Sequence, residues 1–144
     1  MAYRFQSGFA GESIMPLVRI SLLKGKPREH IRAISNGVHE ALVEAFKVPA
    51  DDRFQLIQQF ERDDFIYDPA YLDVERSDDL VFIHITASDW RDTATKKAFY
   101  KTLVAKLAAS PGLRPDDVMI ALAPNRREDW SFGRGLAQYV EDAA

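Results

Sequence analysis

Hydrophobic and polar positions run through one pattern twice along this chain. Residues 17–22, Leu-Val-Arg-Ile-Ser-Leu, put Val18, Ile20 and Leu22 on one face at period 2, which predicts a strand. Gly25-Lys26-Pro27 predicts a helix start, with proline at the first helical position. Ile31, Ile34, Val38, Leu42 and Phe46 follow at steps of three and four and make one apolar stripe. Pro49 disfavours helical backbone at Val48 and so ends the helix. Residues 54–60 read as a second strand, which completes a βαβ unit.

The second round begins at residues 80–86 (LVFIHIT), again a predicted strand. A helix over about 92–109 carries Phe99, Leu103 and Leu107 at i, i+4 and i+8, and Ser110-Pro111-Gly112 stops it. Residues 118–123 supply the closing strand. The helix-to-strand joints match as well: Pro49-Ala50-Asp51-Asp52 in one half, Pro115-Asp116-Asp117 in the other. Two βαβ units with right-handed crossovers predict an α+β fold, one four-stranded sheet with both helices on one face. The other face then needs cover, which a partner subunit would naturally supply, so an obligate oligomer is expected.

Between the halves, residues 61–79 are acidic yet carry Phe65, Ile66, Tyr67 and Tyr71. A solvated linker has no use for four such side chains, so the segment reads as an ordered excursion lining a pocket or a subunit contact. Near the end, residues 129–135 (DWSFGRG) alternate aromatic and small residues and close on glycines. That pattern predicts a short C-terminal hairpin over something flat and apolar.

Composition narrows the function more than the fold. The 144 residues suit a single domain, long enough to bury roughly 70% of its unfolded surface. With 19 Lys and Arg against 22 Asp and Glu, the net charge is −3, ill suited to coating nucleic acid or an anionic membrane. No apolar run approaches the roughly 20 residues of a spanning helix. There is no cysteine, which excludes disulfides, thiolate zinc, iron–sulfur clusters and a cysteine nucleophile, and fits a cytoplasmic location. The opening MAYRFQSGFAGESI lacks the basic start and apolar middle of a signal peptide. Residues 1–14 read as a leader of uncertain origin, ahead of one domain over 15–144.

Candidate chemistry is sparse. His30 and His39 are nine residues apart, about 900° on a helix, so they face opposite ways and cannot share a metal. His84 alternates with the apolar positions of its strand, and all three histidines read as structural. No phosphate-cradling glycine loop is present, so neither a metal nor a cofactor is expected. Lys96, Lys97 and Lys101 read as the solvated face of the second helix. Asp51-Asp52 is ambiguous: the matching Asp116-Asp117 favours turn chemistry, while a carboxylate at a strand edge could also serve catalysis. Arg91, just after a strand end, suits a guanidinium fork for a substrate carboxylate, although a helix-end arginine is more often solvated.

Met15-Pro16 is the most pointed feature. Removal of Met15 would expose proline as a secondary amine, whose pKa falls when apolar walls disfavour its charged form. Such an amine can act as a general base near neutral pH. The plain alternative is an internal proline at the first position of a strand.

From Met15 onward the sequence resembles the tautomerase superfamily, and within it the malonate semialdehyde decarboxylase-like group. The resemblance spans nearly all of 16–140 and rests on MPLVRISLLKG (15–25), VPADDRFQ (48–55), RDDFIYDPAYL (62–72), KKAFYK (96–101) and DWSFGRG (129–135). It implies paired βαβ units, a homotrimer and an amino-terminal proline at the centre of each pocket, here Pro16. It places the working aspartate on Asp52, the second arginine of a carboxylate-binding pair on Arg91, and apolar wall residues on Trp130 and Phe132. The first arginine of that pair is replaced by Asp89. Loss of one guanidinium weakens anion binding by roughly 1.5–3 kcal/mol, the size of a charge-assisted contact.

The reading that follows is a cofactor-free cytoplasmic homotrimer catalysing enol–keto tautomerisation of a small 2-oxo acid, with no nucleic-acid or membrane partner. Pro16, Asp52 and Arg91 would carry catalysis, and Arg91, Trp130 and Phe132 would bind the small carboxylate substrate. Decarboxylation or hydration of malonate semialdehyde is the alternative. A retained leader would make Pro16 an amide and leave a non-catalytic trimeric binding protein.

Overall fold

The computed structural model describes residues 16–88 and 91–140; the leader 1–14 and Asp89 lie outside the described residues. Strand β1 (Leu17–Leu23) leads to helix α1 (Arg28–Phe46) and strand β2 (Gln55–Phe60), and β3 (Val81–Ser88), α2 (Thr93–Ala109) and β4 (Val118–Asn125) repeat the unit. The sheet order is β2-β1-β3-β4. Each βαβ unit pairs its own strands in parallel, and the two units meet through antiparallel β1 and β3. This antiparallel join brings the starts of β1 and β2 to the same sheet edge as the ends of β3 and β4.

The period-2 alternation decides which way the sheet faces. Val18, Ile20 and Leu22 of β1 and Val81, Ile83 and Ile85 of β3 are buried in one core with Ile34, Val38, Leu42 and Phe46 of α1 and Phe99, Leu103 and Leu107 of α2. Both helices therefore lie on one face, as their stripes require. They approach closely at Gly37, where a Cβ would stand 2.8 Å from Leu107 Cδ2. Asp92 caps α2 by accepting the Thr95 N–H at 2.8 Å.

Several local expectations are corrected. Pro27 is the cap before α1 rather than its first helical residue: its backbone is extended, and its carbonyl accepts from His30 and Ile31 N–H at 3.1 and 3.3 Å. Helix α1 ends at Phe46, and its cap Lys47, in left-handed backbone (φ 57°), already turns the chain toward Pro49 before Val48 is reached. The expected C-terminal hairpin does not form among the described residues. Three consecutive positive φ angles at Gly133, Arg134 and Gly135 turn the chain too sharply for extended pairing. The Gln138 side chain takes the place of a ladder, accepting the Phe132 N–H and donating to the Gly133 carbonyl, each at 2.9 Å.

The far face of the sheet is partly covered by the chain itself. Phe65 and Tyr67 of the excursion continue edge-to-face from Phe60 of β2, with centroids 5.4 and 6.0 Å apart. With Tyr71, Leu80, Phe82 and Met119 they line a cavity of about 320 Å³. The excursion is thus ordered and lines a pocket. Phe54 and Leu56 remain exposed.

Candidate active site

Four segments reach the edge shared by the starts of β1 and β2 and the ends of β3 and β4. Pro16 is buried immediately before β1. Continuing the β1–β3 register from Leu17↔Thr86 sets it opposite Ala87, and continuing the β1–β2 register from Val18↔Gln55 sets it beside the residues that follow Asp52. Proline suits this place because the pairing needs no N–H from it: the first β1-to-joint bond is Val18 N–H to the Phe54 carbonyl, 3.1 Å.

Asp52 is held there by a turn and a histidine. Its N–H bonds the Pro49 carbonyl at 3.0 Å. Buried His39 reaches from α1 to the Ala50 carbonyl at 2.8 Å; a carbonyl only accepts, so Nε2 carries the proton. Asp52 is 9% exposed and its Oδ2 is buried without a hydrogen-bond partner among the described residues. Burial, reinforced by the neighbouring Asp51 charge, pushes its carboxyl up from 3.8 to about 6. A carboxylate so placed is poised to exchange protons near neutrality.

Arg91 follows β3 and is 8% exposed. Its Nη2 donates to the Phe46 carbonyl at 2.9 Å, and its guanidinium lies over the Phe46 ring, 4.1 Å from the centroid. A helix carbonyl and an aromatic face therefore offset the burial of its charge. The arginine borders a cavity of about 160 Å³ walled by Phe46, Ala87, Ser88, Lys96, Tyr100 and Pro124, among others. Ser88 is buried and its Oγ has no hydrogen-bond partner among the described residues.

Trp130 and Phe132 stack on each other, centroids 5.3 Å apart and 16° from parallel. The Trp130 Nε1–H donates to Asn125 Oδ1 at 2.8 Å, and Asn125 pairs with Ser88 across β3 and β4. The pair is therefore tied to the same edge, although neither ring lines the Arg91 cavity, nor do Pro16 and Asp52. Asp89 lies outside the described residues.

Sequence reasoning missed Ser88, Tyr100 and above all Lys96 as lining residues. Lys96 is half-buried rather than part of a solvated face. A signal was available, since 96 precedes Phe99, Leu103 and Leu107 on the buried stripe by one helical turn. Of the histidines, His39 is bonded as above and His84 stacks on Phe82 at 5.8 Å on the far sheet face, while His30 Nε2 is buried without a hydrogen-bond partner among the described residues.

This fold, two pseudo-equivalent βαβ units with a proline at the opening of the first strand, is that of the tautomerases. Two family profiles, each described as tautomerase enzyme, match residues 16–74 and 52–133, and the chain belongs to that family. It is 44% identical over 127 residues to the probable tautomerase YusQ of Bacillus subtilis (strain 168), a match covering 88% of this chain and all of YusQ. Among solved structures, FG41 malonate semialdehyde decarboxylase inhibited by 3-bromopropiolate is 41% identical with a TM-score of 0.79, covering 86% of this chain and 94% of that one. A second malonate semialdehyde decarboxylase, described for its decarboxylase and hydratase activities, is 35% identical with the same TM-score, covering 86% and 95%. No helix among the described residues is long and apolar enough to cross a membrane.

Proposed function

We propose that this chain is a proline-dependent enol–keto tautomerase of a small 2-oxo acid. The amine of Pro16 accepts the enol O–H proton and returns a proton to the adjacent carbon. Arg91 holds the carboxylate, Asp52 orients a water or the amine, and Trp130 with Phe132 keeps the site dry, which strengthens every charge contact inside it. The observation that carries this reading is the convergence at one sheet edge of buried Pro16, an incompletely bonded Asp52 and the Arg91 cavity. The chemistry requires a free amine, so the active form begins at Pro16, where the match to one family profile also opens.

A chain beginning at Pro16 should ketonise phenylenolpyruvate, and Pro16→Ala in that chain should lose roughly 100-fold or more, the scale of one general acid–base group. Equal rates would refute the reading. The identities of 41% and 35% to malonate semialdehyde decarboxylases favour a second reading, decarboxylation or hydration with Pro16 protonated and Asp52 activating water. Carbon dioxide release from malonate semialdehyde separates the two. Intact mass of the native protein decides between either enzyme and a binding protein whose Pro16 is an amide. The exposed Phe54 and Leu56 support burial against further copies in a homotrimer, which light scattering tests.

A further inference from the structure

We propose that Lys96 is a second substrate-carboxylate cation, completing with Arg91 and Ser88 an anion cradle that makes the cavity selective for small acids. The inference rests on the tautomerase reading for its chemistry, but its geometry is independent of Pro16. Arg91 and Lys96 line the same cavity, and none of the described residues that line it is acidic. Arg91 stands in the segment after β3 and Lys96 in the first turn of α2, five residues further on, so both cations border the cavity from the start of one helix. Lys96 and Tyr100 are four residues apart and stand one above the other on the helix face that borders the cavity.

Ser88 supplies the second, independent indication. It is 8% exposed, lines the cavity, and its Oγ has no hydrogen-bond partner among the described residues. A buried hydroxyl without a partner is costly unless something else meets it, and a carboxylate oxygen accepts the bond it can donate. Phe46, Ile85, Leu122 and Pro124 close the remaining walls with apolar surface, which leaves the charged head as the recognised group. At about 160 Å³ the cavity holds roughly five waters' worth of ligand, enough for a carboxylate and a few carbons.

The test uses the full chain and pyruvate as the probe, with uncharged pyruvamide as the control, both titrated by NMR. Lys96→Met should weaken pyruvate binding roughly 10- to 100-fold, the range of a lost charge-assisted contact, and leave pyruvamide unchanged. Lys96→Arg should restore most of the affinity. In the chain beginning at Pro16, Lys96→Met should raise KM for an enol-acid while kcat changes by less than about threefold, since the contact is made equally to substrate and transition state. Pyruvate affinity within twofold of the parent would overturn the proposal, as would absence of saturable binding to the parent. A chain that shows the Lys96 dependence in binding but no Pro16-dependent turnover would refute the tautomerase reading and leave the cradle standing.

Discussion

The two helix-to-strand joints share one backbone hydrogen bond and differ in chemistry. In each, the second aspartate of an Asp-Asp pair donates its N–H three residues back, Asp52 to the Pro49 carbonyl and Asp117 to the Arg114 carbonyl, both at 3.0 Å. Both side chains are buried. Asp117, at 0% exposed, accepts from the Ser77 N–H at 2.6 Å and the Ser77 hydroxyl at 2.7 Å, with Arg114 Nη1 3.8 Å away. Asp52 has an oxygen without a hydrogen-bond partner among the described residues and a carboxyl raised to about 6. One half uses its carboxylate to pin the excursion to the sheet; the other leaves it buried with one oxygen unbonded among the described residues, in the joint before β2. A turn sequence thus sets where a carboxylate sits, and the neighbours it meets set whether it is structural or reactive.

The largest effect expected from breaking this contrast is on rate. In a chain beginning at Pro16, Asp52→Ala should lower kcat/KM roughly 10²- to 10⁴-fold, the range for a positioned acid–base group, with far-UV circular dichroism unchanged. Asp117→Ala should do the reverse. It strands the Ser77 donors and should cost about 3 kcal/mol of stability in urea unfolding, while the folded fraction keeps its turnover number. A rate loss in Asp117→Ala as deep as that of Asp52→Ala would erase the distinction.

The contrast also has a pH signature. The Asp52 carboxyl, raised from 3.8 to about 6, binds its proton more tightly in the folded chain than in the unfolded one. Its contribution to stability therefore worsens as pH rises from about 4 to about 6, and the full penalty stands above that. Asp52→Asn removes the titrating group, so the variant should be more stable than the parent at about pH 7.5 and lose that advantage by about pH 4. Urea midpoints across this window check it; a constant gap would show that the carboxyl does not titrate there. The smallest effect belongs to Arg114→Met. Its ion pair with Asp117 is long and Arg114 is about half exposed, so the loss should stay below about 1 kcal/mol, which a double-mutant cycle with Asp117→Asn can measure.

Much of the molecule is legible in its amino-acid sequence. The strands that carry Val18, Ile20 and Leu22, or Val81, Ile83 and Ile85, announce themselves because alternation at period 2 is a local property of the chain. The stripes of α1 and α2 are equally local. The C-terminal segment misleads because its aromatic alternation imitates a strand, whereas the backbone at 133–135 is set by positive φ angles and the Gln138 side chain. Lys96 misleads because a lysine on a helix is read as solvated by default, and its half-buried place depends on the wall made by β3 and β4.

The sequence by itself determined the kinds of element, their order, the repeated βαβ unit, and the presence of proline, arginine and paired aspartates where they stand. All of these follow from spacing over a few residues. Only the tertiary structure decided that β1 and β3 run antiparallel, which gathers Pro16, Asp52, Ser88 and Arg91 at one edge. It alone distinguished Asp52 from Asp117, since the donors that quiet Asp117 come from Ser77, 40 residues away. Whether a buried carboxylate finds its partners is a matter of which distant segments fold against it, and no local pattern carries that information.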